Sequence, residues 1–264
     1  VSNIILEKED GVWLLTINRE DKMNSLDFGS HFELVEIWKD FSEDPTAKVG
    51  VITGAGEKAF CAGADLKTYT MDFATRKPNE FRDKFVNGYG LGGITRGLDI
   101  DKPLIAAING YAVSGGLEIA LACDLRFCSE NAKFGLQDVK WGFHACDGAL
   151  VRLPHIVGMG ATMELVLSGE LINAEYAHKI NLVNKIYASH SLLEKTLEYA
   201  HLLTKRAPLA IKFAKQTLRN IVSMPIEDAL RHEVRSFYDL GQSEDLAEGT
   251  RAFRERRDAK FKGR

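Results

Sequence analysis

Asn109-Gly110-Tyr111-Ala112-Val113-Ser114-Gly115-Gly116-Leu117-Glu118 is the stretch whose reading decides the fold. It follows a buried-type strand, Pro103 to Ile108, turns at Asn109-Gly110, and enters a helix at Ser114-Gly115-Gly116. The first N–H groups of such a helix have no partner within it and sit at the positive end of its dipole. Two glycines there let an oxygen come close to the backbone. A second donor is available from the loop Phe60-Cys61-Ala62-Gly63-Ala64-Asp65, and two N–H groups aimed at one oxygen make an oxyanion hole. Glu118 lies about one helical turn beyond Gly115, toward the same place. A carboxylate near a helix N-terminus also stabilises the dipole, so this stretch alone leaves both roles open.

Outward from this stretch, strands alternate with helices. Residues 3–8 and 12–18 read as strands around the Asp10-Gly11 turn. Ser25-Leu26-Asp27 opens a helix to about Phe41, with Phe32, Val35, Ile37, Trp38 and Phe41 at helical spacing. Val49 to Thr53 is a buried-type strand, and Cys123 to Cys128 another. Strands alternating with helices predict an α/β core with parallel strands. Residues 68–100 are polar and aperiodic, with five glycines between 88 and 97, and predict a mobile cover over a site rather than core. From about 157 the pattern is nearly all helical, broken at Pro208 and Pro225, and the last helix is basic from Arg251 to Arg264. The expected division is an α/β core over 1–190 and a helical region over 191–264.

Composition excludes several classes. With 45% hydrophobic and 27% charged residues, the chain is neither a disordered tail nor a fibre. A net charge of -3 gives no overall attraction to nucleic acid, although the basic stripe at 251–264 keeps an RNA-binding alternative in view. Four scattered cysteines make no disulfide framework and no zinc or redox pair, and Cys146 reads as a small buried residue. The start lacks a basic segment followed by an apolar run, and no stretch of about 20 apolar residues exists. The expectation is a cytoplasmic protein without membrane association. Gly54-Ala55-Gly56-Glu57-Lys58-Ala59 formally fits a dinucleotide fingerprint, which would imply an NAD-dependent oxidoreductase. No acidic residue ends a second strand about 20 positions on, which favours a simple tight turn.

The ordered set Asn18-Arg19, Lys22-Met23-Asn24-Ser25-Leu26, Phe60 to Asp65, Asn109 to Glu118, Ala122-Cys123-Asp124 and Phe134-Gly135 resembles the crotonase, or enoyl-CoA hydratase/isomerase, superfamily. Ser243-Glu244-Asp245, Glu248-Gly249, Ala252-Phe253 and Arg256-Arg257 extend the resemblance over essentially the whole chain. It implies a spiral of repeated ββα units with C-terminal helices that form a homotrimer or homohexamer. It implies acyl-CoA thioester substrates, no metal, and no cofactor beyond the coenzyme A carried by the substrate. Ala64 and Gly115 would hold the thioester oxygen, and an enolate would be the shared intermediate. Lys22 and Met23 match the segment lining the nucleotide pocket; Asp65, Leu66 and Lys67 continue the substrate wall. Phe237 and Arg256 match C-terminal positions that contact coenzyme A, the second through a phosphate.

Hydratases of the family carry two glutamates. Glu118 matches the first, and Asp138 stands at the second. One carboxylate would activate water for the β-carbon while the other gives a proton to the α-carbon. Aspartate is one methylene shorter, about 1.5 Å of reach. The following loop, Gly142 to Gly148, lacks the proline common in hydratases and carries His144, Cys146 and Asp147, of which His144 and Asp147 are reserve acid/base candidates. The resulting expectation is reversible hydration of a 2-enoyl-CoA, or dehydration of a 3-hydroxyacyl-CoA. The alternatives are double-bond isomerisation through Glu118, or a specialised alicyclic or aromatic-derived substrate.

Overall fold

The computed structural model describes residues 2–264. Its strands are β1 (Ile4–Glu9), β2 (Val12–Ile17), β3 (Val49–Gly54), β4 (Ala59–Cys61), β5 (Leu104–Ile108), β6 (Tyr111–Val113), β7 (Leu125–Ser129), β8 (Lys133–Gly135), β9 (Ile172–Asn173) and β10 (Lys185–Tyr187). They form a six-stranded sheet ordered β1-β2-β3-β5-β7-β10 and a four-stranded sheet ordered β4-β6-β8-β9. In the larger sheet only the β1–β2 hairpin is antiparallel; Leu15 faces Ile52 and Ile52 faces Ala106 in the parallel ladders. Three times a strand of the large sheet is followed closely by a short strand of the small one: β3 then β4, β5 then β6, β7 then β8. Helical segments follow each pair, so the chain advances as repeated ββα units, the spiral that the sequence resemblance implies.

The helices are α1 (Phe28–Glu43), α2 (Met71–Thr75), α3 (Pro78–Phe81), α4 (Gly115–Ala122), α5 (Ala149–Ile156), α6 (Gly158–Ser168), α7 (Ala174–Lys179), α8 (Leu192–Thr204), α9 (Pro208–Asn220), α10 (Ile226–Gly241) and α11 (Glu244–Glu255). Asp27 caps α1 by accepting from Ser30 N–H at 2.8 Å. Period-two alternation divides each central strand between two cores. Trp13, Leu15, Ile52, Leu104 and Ala106 face α1, with Leu34, Trp38 and Phe41. Val12, Leu14, Val49, Val51, Ile105 and Ala107 face α8, with Leu192 and Ala200. Both faces are covered, which is why these strands read as unbroken apolar runs. Truncating fully buried Phe41 to Ala would cost about 3–5 kcal/mol.

Three details differ from the sequence reading. The helical stretch after 157 is interrupted by β9 and β10, too short to show a period. Cys123 ends α4 rather than opening a strand, since β7 begins at Leu125. The terminal basic stripe is not one helix: α11 stops at Arg256, left-handed at φ 53, and the tail folds back so that Lys262 and Gly263 N–H donate to the Asp245 carboxylate at 2.7 and 2.9 Å. Gly54-Ala55-Gly56 is the tight turn that the sequence favours: it leads into β4, not a helix, and so lacks the helix N-terminus on which a dinucleotide pyrophosphate rests. The Asn109 side chain secures that turn instead, donating to Gly54 and Gly56 carbonyls at 2.9 and 2.7 Å. No helix among the described residues is long and apolar enough to cross a membrane.

Lys215 of α9 joins the C-terminal helices to the core through Asp124 Oδ2 at 2.6 Å and the Lys102 carbonyl at 2.7 Å. Beyond it, α10 buries only Ala229 and leaves Leu230, Val234, Phe237 and Tyr238 exposed.

Candidate active site

A cleft of about 870 Å³ opens where β4 and β6 of the small sheet meet the N-terminus of α4. Ala64, Ser114, Gly115, Glu118 and Asp138 all line it. The strand-to-helix transition at Ser114 has φ 49 and ψ −124, a strained conformation for a residue with a Cβ, of the kind that clusters at functional sites. It brings the start of α4 against the Gly63–Ala64 backbone: a Cβ built on Gly115 would lie 3.2 Å from Gly63 Cα and 3.4 Å from Ala64 N, and would overlap Leu91 Cδ2. The Ala64 and Gly115 backbones therefore lie side by side at the cleft. Among the described residues neither N–H has a backbone acceptor. An oxyanion hole requires two such neighbouring donors without an acceptor.

Glu118 is 2% exposed. Its Oε1 accepts from the N–H groups of Asp147 at 2.7 Å and Ala149 at 3.0 Å. Burial pushes its carboxyl up to about 8, reinforced by the charges of Asp147 and Asp138 and opposed by the two backbone donors. Asp138 is also buried, and its Oδ2 has no partner. Burial raises this carboxyl as well, against its own backbone N–H, the Ser114 hydroxyl and His144. A buried carboxylate oxygen without a donor is costly unless something from the cleft meets it.

The loop after Asp138 forms one wall. His144 lines the cleft with Nδ1 at 2.8 Å from the Ala145 carbonyl. Asp147 also lines the cleft and is anchored there: its Oδ1 accepts from Leu91 N–H at 3.0 Å, Thr95 Oγ1 at 3.1 Å and Arg96 Nη1 at 2.7 Å. Gly148, at φ 112, leaves the space that Arg152 fills; a side chain there would strike its guanidinium. Cys146 is exposed and lines the cleft, where the sequence suggested a buried packing residue. Its sulfur lies 3.9 Å from Asp147 Oδ2, and desolvation, with the charge of Asp147 beside it, pushes the thiol up to about 12.

Of the remaining expected residues, Leu66 lines the cleft. Lys22, paired with Asp21 at 3.4 Å, and Lys67 are exposed outside its lining. Met23 is left-handed at φ 54, and its carbonyl accepts from Ala62 N–H at 3.0 Å beside the site. Asp65 caps Lys67 N–H at 3.0 Å and faces Arg19 at 3.7 Å. Phe237 and Arg256 lie outside the cleft; Phe237 faces a groove with Phe253 and Phe261. The residues missed by the sequence reading are Tyr69, Phe81, Phe85 and Arg96 from the segment called a cover, and Trp141 and Phe143 after Asp138. The 68–100 segment is thus a wall of the cleft, held by short helices and the Asp147 anchor. Among the described residues no group of three His, Cys, Asp or Glu side chains is placed to hold a metal.

Comparison with known proteins gives a consistent picture. The family model described as enoyl-CoA hydratase/isomerase matches residues 7–264. The chain is 39% identical over 260 residues to (E)-benzylidenesuccinyl-CoA hydratase of Thauera aromatica, covering 98% of this chain and 99% of that one. It is 37% identical over 263 residues to carnitinyl-CoA dehydratase of Escherichia coli strain K12, covering 98% of each. The crystal structure of enoyl-CoA hydratase from Mycobacterium tuberculosis H37Rv superposes with a TM-score of 0.89 at 32% identity, over 99% of both chains.

Proposed function

We infer the reaction from one premise: the chain belongs to the enoyl-CoA hydratase/isomerase family, and is a hydro-lyase of acyl-CoA thioesters. In this reading it adds water across the double bond of a 2-enoyl-CoA, or removes it from a 3-hydroxyacyl-CoA. The thioester oxygen sits between the Ala64 and Gly115 N–H groups, which stabilise the enolate that forms when the β-carbon is attacked. One carboxyl of the Glu118/Asp138 pair takes a proton from water as its oxygen bonds to the β-carbon. The other gives a proton to the α-carbon as the enolate collapses. The observation that carries this reading is the pair itself: two buried carboxyls on one cleft, Glu118 pushed up to about 8 and Asp138 with an oxygen that lacks a partner. The two transfers need one proton and one negative charge in the pair, and the raised Glu118 carboxyl supplies the proton at neutral pH. No step calls for a metal or redox group.

Leu66, Tyr69, Phe81, Phe85, Trp141 and Phe143 give the cleft an aromatic and aliphatic wall. This supports an aryl or alicyclic acyl group, in keeping with the benzylidenesuccinyl-CoA named for one relative. The second reading, isomerisation by Glu118 alone, is favoured by the shorter reach of Asp138. Incubation with a panel of straight-chain and aryl 2-enoyl-CoA thioesters tests both. Hydration bleaches the enoyl thioester absorbance and adds the mass of one water; isomerisation leaves the mass unchanged.

The exposed apolar face of α10 supports a homo-oligomer, as trimer or hexamer. Since Phe237 and Arg256 do not line this chain's cleft, their expected contacts with coenzyme A would be made within that assembly, Arg256 to a phosphate. Lys22, Met23, Asp65 and Lys67 would act at the cleft mouth. The four free cysteines fit a reducing, cytoplasmic setting.

A further inference from the structure

We propose that the cleft contains a carboxylate-binding subsite built from the Arg96 guanidinium and the Tyr69 hydroxyl, so that the acyl group of the substrate carries a second carboxylate. The inference rests on the enoyl-CoA reading above and names its substrate class. Arg96 is next to the reacting end: it pairs with Asp147, whose own N–H holds Glu118. Its Nε and Nη2 donate to the Phe85 carbonyl and its Nη1 to Asp147 Oδ1. Three of five N–H donors are used, which fixes the plane of the fork and leaves two donors free among the described residues. The side chain is 32% exposed and lines the cleft.

Tyr69 is the second element. Only 5% of the residue is exposed, and its ring is clamped between Phe28, 4.6 Å away, and Phe85, 6.1 Å away. It nonetheless lines the cleft, and among the described residues its hydroxyl makes no hydrogen bond. A tyrosine with a buried ring and an unused hydroxyl at a cavity wall presents a donor to whatever enters. Around it the wall is apolar: Leu66, Phe81, Phe85 and Leu91. Two polar tips in an apolar wall are a costly arrangement for an alkyl or unsubstituted aryl group, which would leave both unsatisfied.

The free donors, rather than any net charge, decide the sign of the group. Arg96 and Asp147 cancel. Lys84 is paired with Asp72 at 2.8 Å. Arg152 reaches only carbonyls, those of Asp147 at 3.3 Å and Thr95 at 2.6 Å, and makes no ion pair among the described residues. His31, behind Tyr69, is held neutral by burial, and Glu118 retains its proton at neutral pH. The neighbouring charges are thus balanced, Arg96 against Asp147 and Lys84 against Asp72, and the free groups on the wall are donors. A carboxylate satisfies both; a quaternary ammonium satisfies neither.

Binding of saturated thioesters tests this without turnover. Succinyl-, glutaryl-, adipyl- and pimelyl-CoA, each beside its monomethyl ester, and 4-trimethylammoniobutyryl-CoA are titrated calorimetrically into the intact protein. For at least one chain length the free acid binds about 10- to 100-fold tighter than its ester, the range of a charge-assisted hydrogen bond. Tyr69→Phe and Arg96→Gln each bring that ratio down, and Tyr69→Phe leaves the Arg96–Asp147 pair in place should Arg96→Gln fold poorly. Equal binding of acid and ester at every length overturns the proposal. So does a ratio that survives in Tyr69→Phe, or tighter binding of the trimethylammonium compound. If the acid preference is present but no enoyl thioester is hydrated or isomerised, the subsite stands and the enoyl-CoA reading falls.

Discussion

The backbone N–H of Asp147 donates to Glu118 Oε1 at 2.7 Å, while the Asp147 carboxylate accepts from Leu91, Thr95 and Arg96. One residue thus orients the buried carboxyl through its main chain and fastens the opposite wall through its side chain. A carboxyl bonded in this way has its orientation set before substrate arrives, and the loop that sets it cannot move independently of the 91–96 segment.

Asp147→Asn separates these tasks. The amide keeps an oxygen for Leu91 and Thr95 but loses the charge opposite Arg96, at a cost of about 1–3 kcal/mol for a partly buried pair. Thermal unfolding shifts downward. Because the main-chain bond to Glu118 is retained, kcat falls less than tenfold and its pH profile keeps its shape. A loss of 10²–10⁴-fold with one limb of the profile removed would make Asp147 a proton-transfer group instead.

Glu118 gives a pH signature with a definite sign. Its carboxyl has an ordinary value of 4.5 and is pushed up to about 8 in the fold. Between these values the unfolded chain has released the proton and the folded chain still holds it. Folded protein therefore binds more protons there, and stability falls as pH rises through this window. Urea unfolding from pH 5 to 8.5 shows this slope, and Glu118→Gln removes its Glu118 component. An unchanged slope in that variant would place the proton elsewhere.

The Ala64–Gly115 contact makes the third prediction. Gly115→Ala places a methyl 3.4 Å from Ala64 N, in the space the thioester oxygen needs, and displaces the flexible tip of Leu91. kcat falls about 10²–10³-fold, as for loss of one oxyanion donor, while the unfolding transition stays cooperative. Near-normal kcat would refute the oxyanion assignment.

The contrast between this glycine and the cleft wall shows what the sequence carried. The placement of Gly115 and Glu118 at one cleft was readable because it follows from local geometry, a strand turning into a helix N-terminus. The two cores were readable because alternation in β2, β3 and β5 divides their residues between α1 and α8. Strands of two or three residues, such as β9 and β4, are too short to display a period, so the small sheet was invisible. Tyr69 and Arg96 were missed for another reason. They lie in an aperiodic segment whose position depends on Asp147, far away in sequence. The Ser114 side chain beside Asp138 was equally unreadable, since only the strained backbone turns it there.

Arg256→Ala is expected to raise KM for coenzyme A thioesters and leave kcat nearly intact, because the phosphate contact proposed for it would be remote from the bond-making atoms and bind ground and transition states alike. A pantetheine thioester, lacking the nucleotide phosphates, shows no such effect. Equal changes in KM for both substrates would remove Arg256 from the binding site.

The remaining prediction concerns Asp138, where reach and role meet. Hydration needs two proton transfers, so Glu118→Gln and Asp138→Asn each reduce it by about 10²–10⁴-fold. Isomerisation needs one group to carry a proton between carbons, and then only Glu118→Gln is severe. Asp138→Glu distinguishes further. Asp138 lines the cleft, and its buried Oδ2 has no protein partner that a longer side chain would lose. With a small straight-chain enoyl-CoA this variant keeps or improves activity, because about 1.5 Å of reach is restored. With a bulky aryl thioester it loses activity, because the native aspartate leaves room that the longer side chain fills, and a misplacement of about 1 Å costs about 10²-fold. Opposite responses to the two substrates identify Asp138 as a working acid/base whose shortness serves a large acyl group. Full activity of Asp138→Asn on both would move the second proton transfer to His144, the next titratable side chain along that wall.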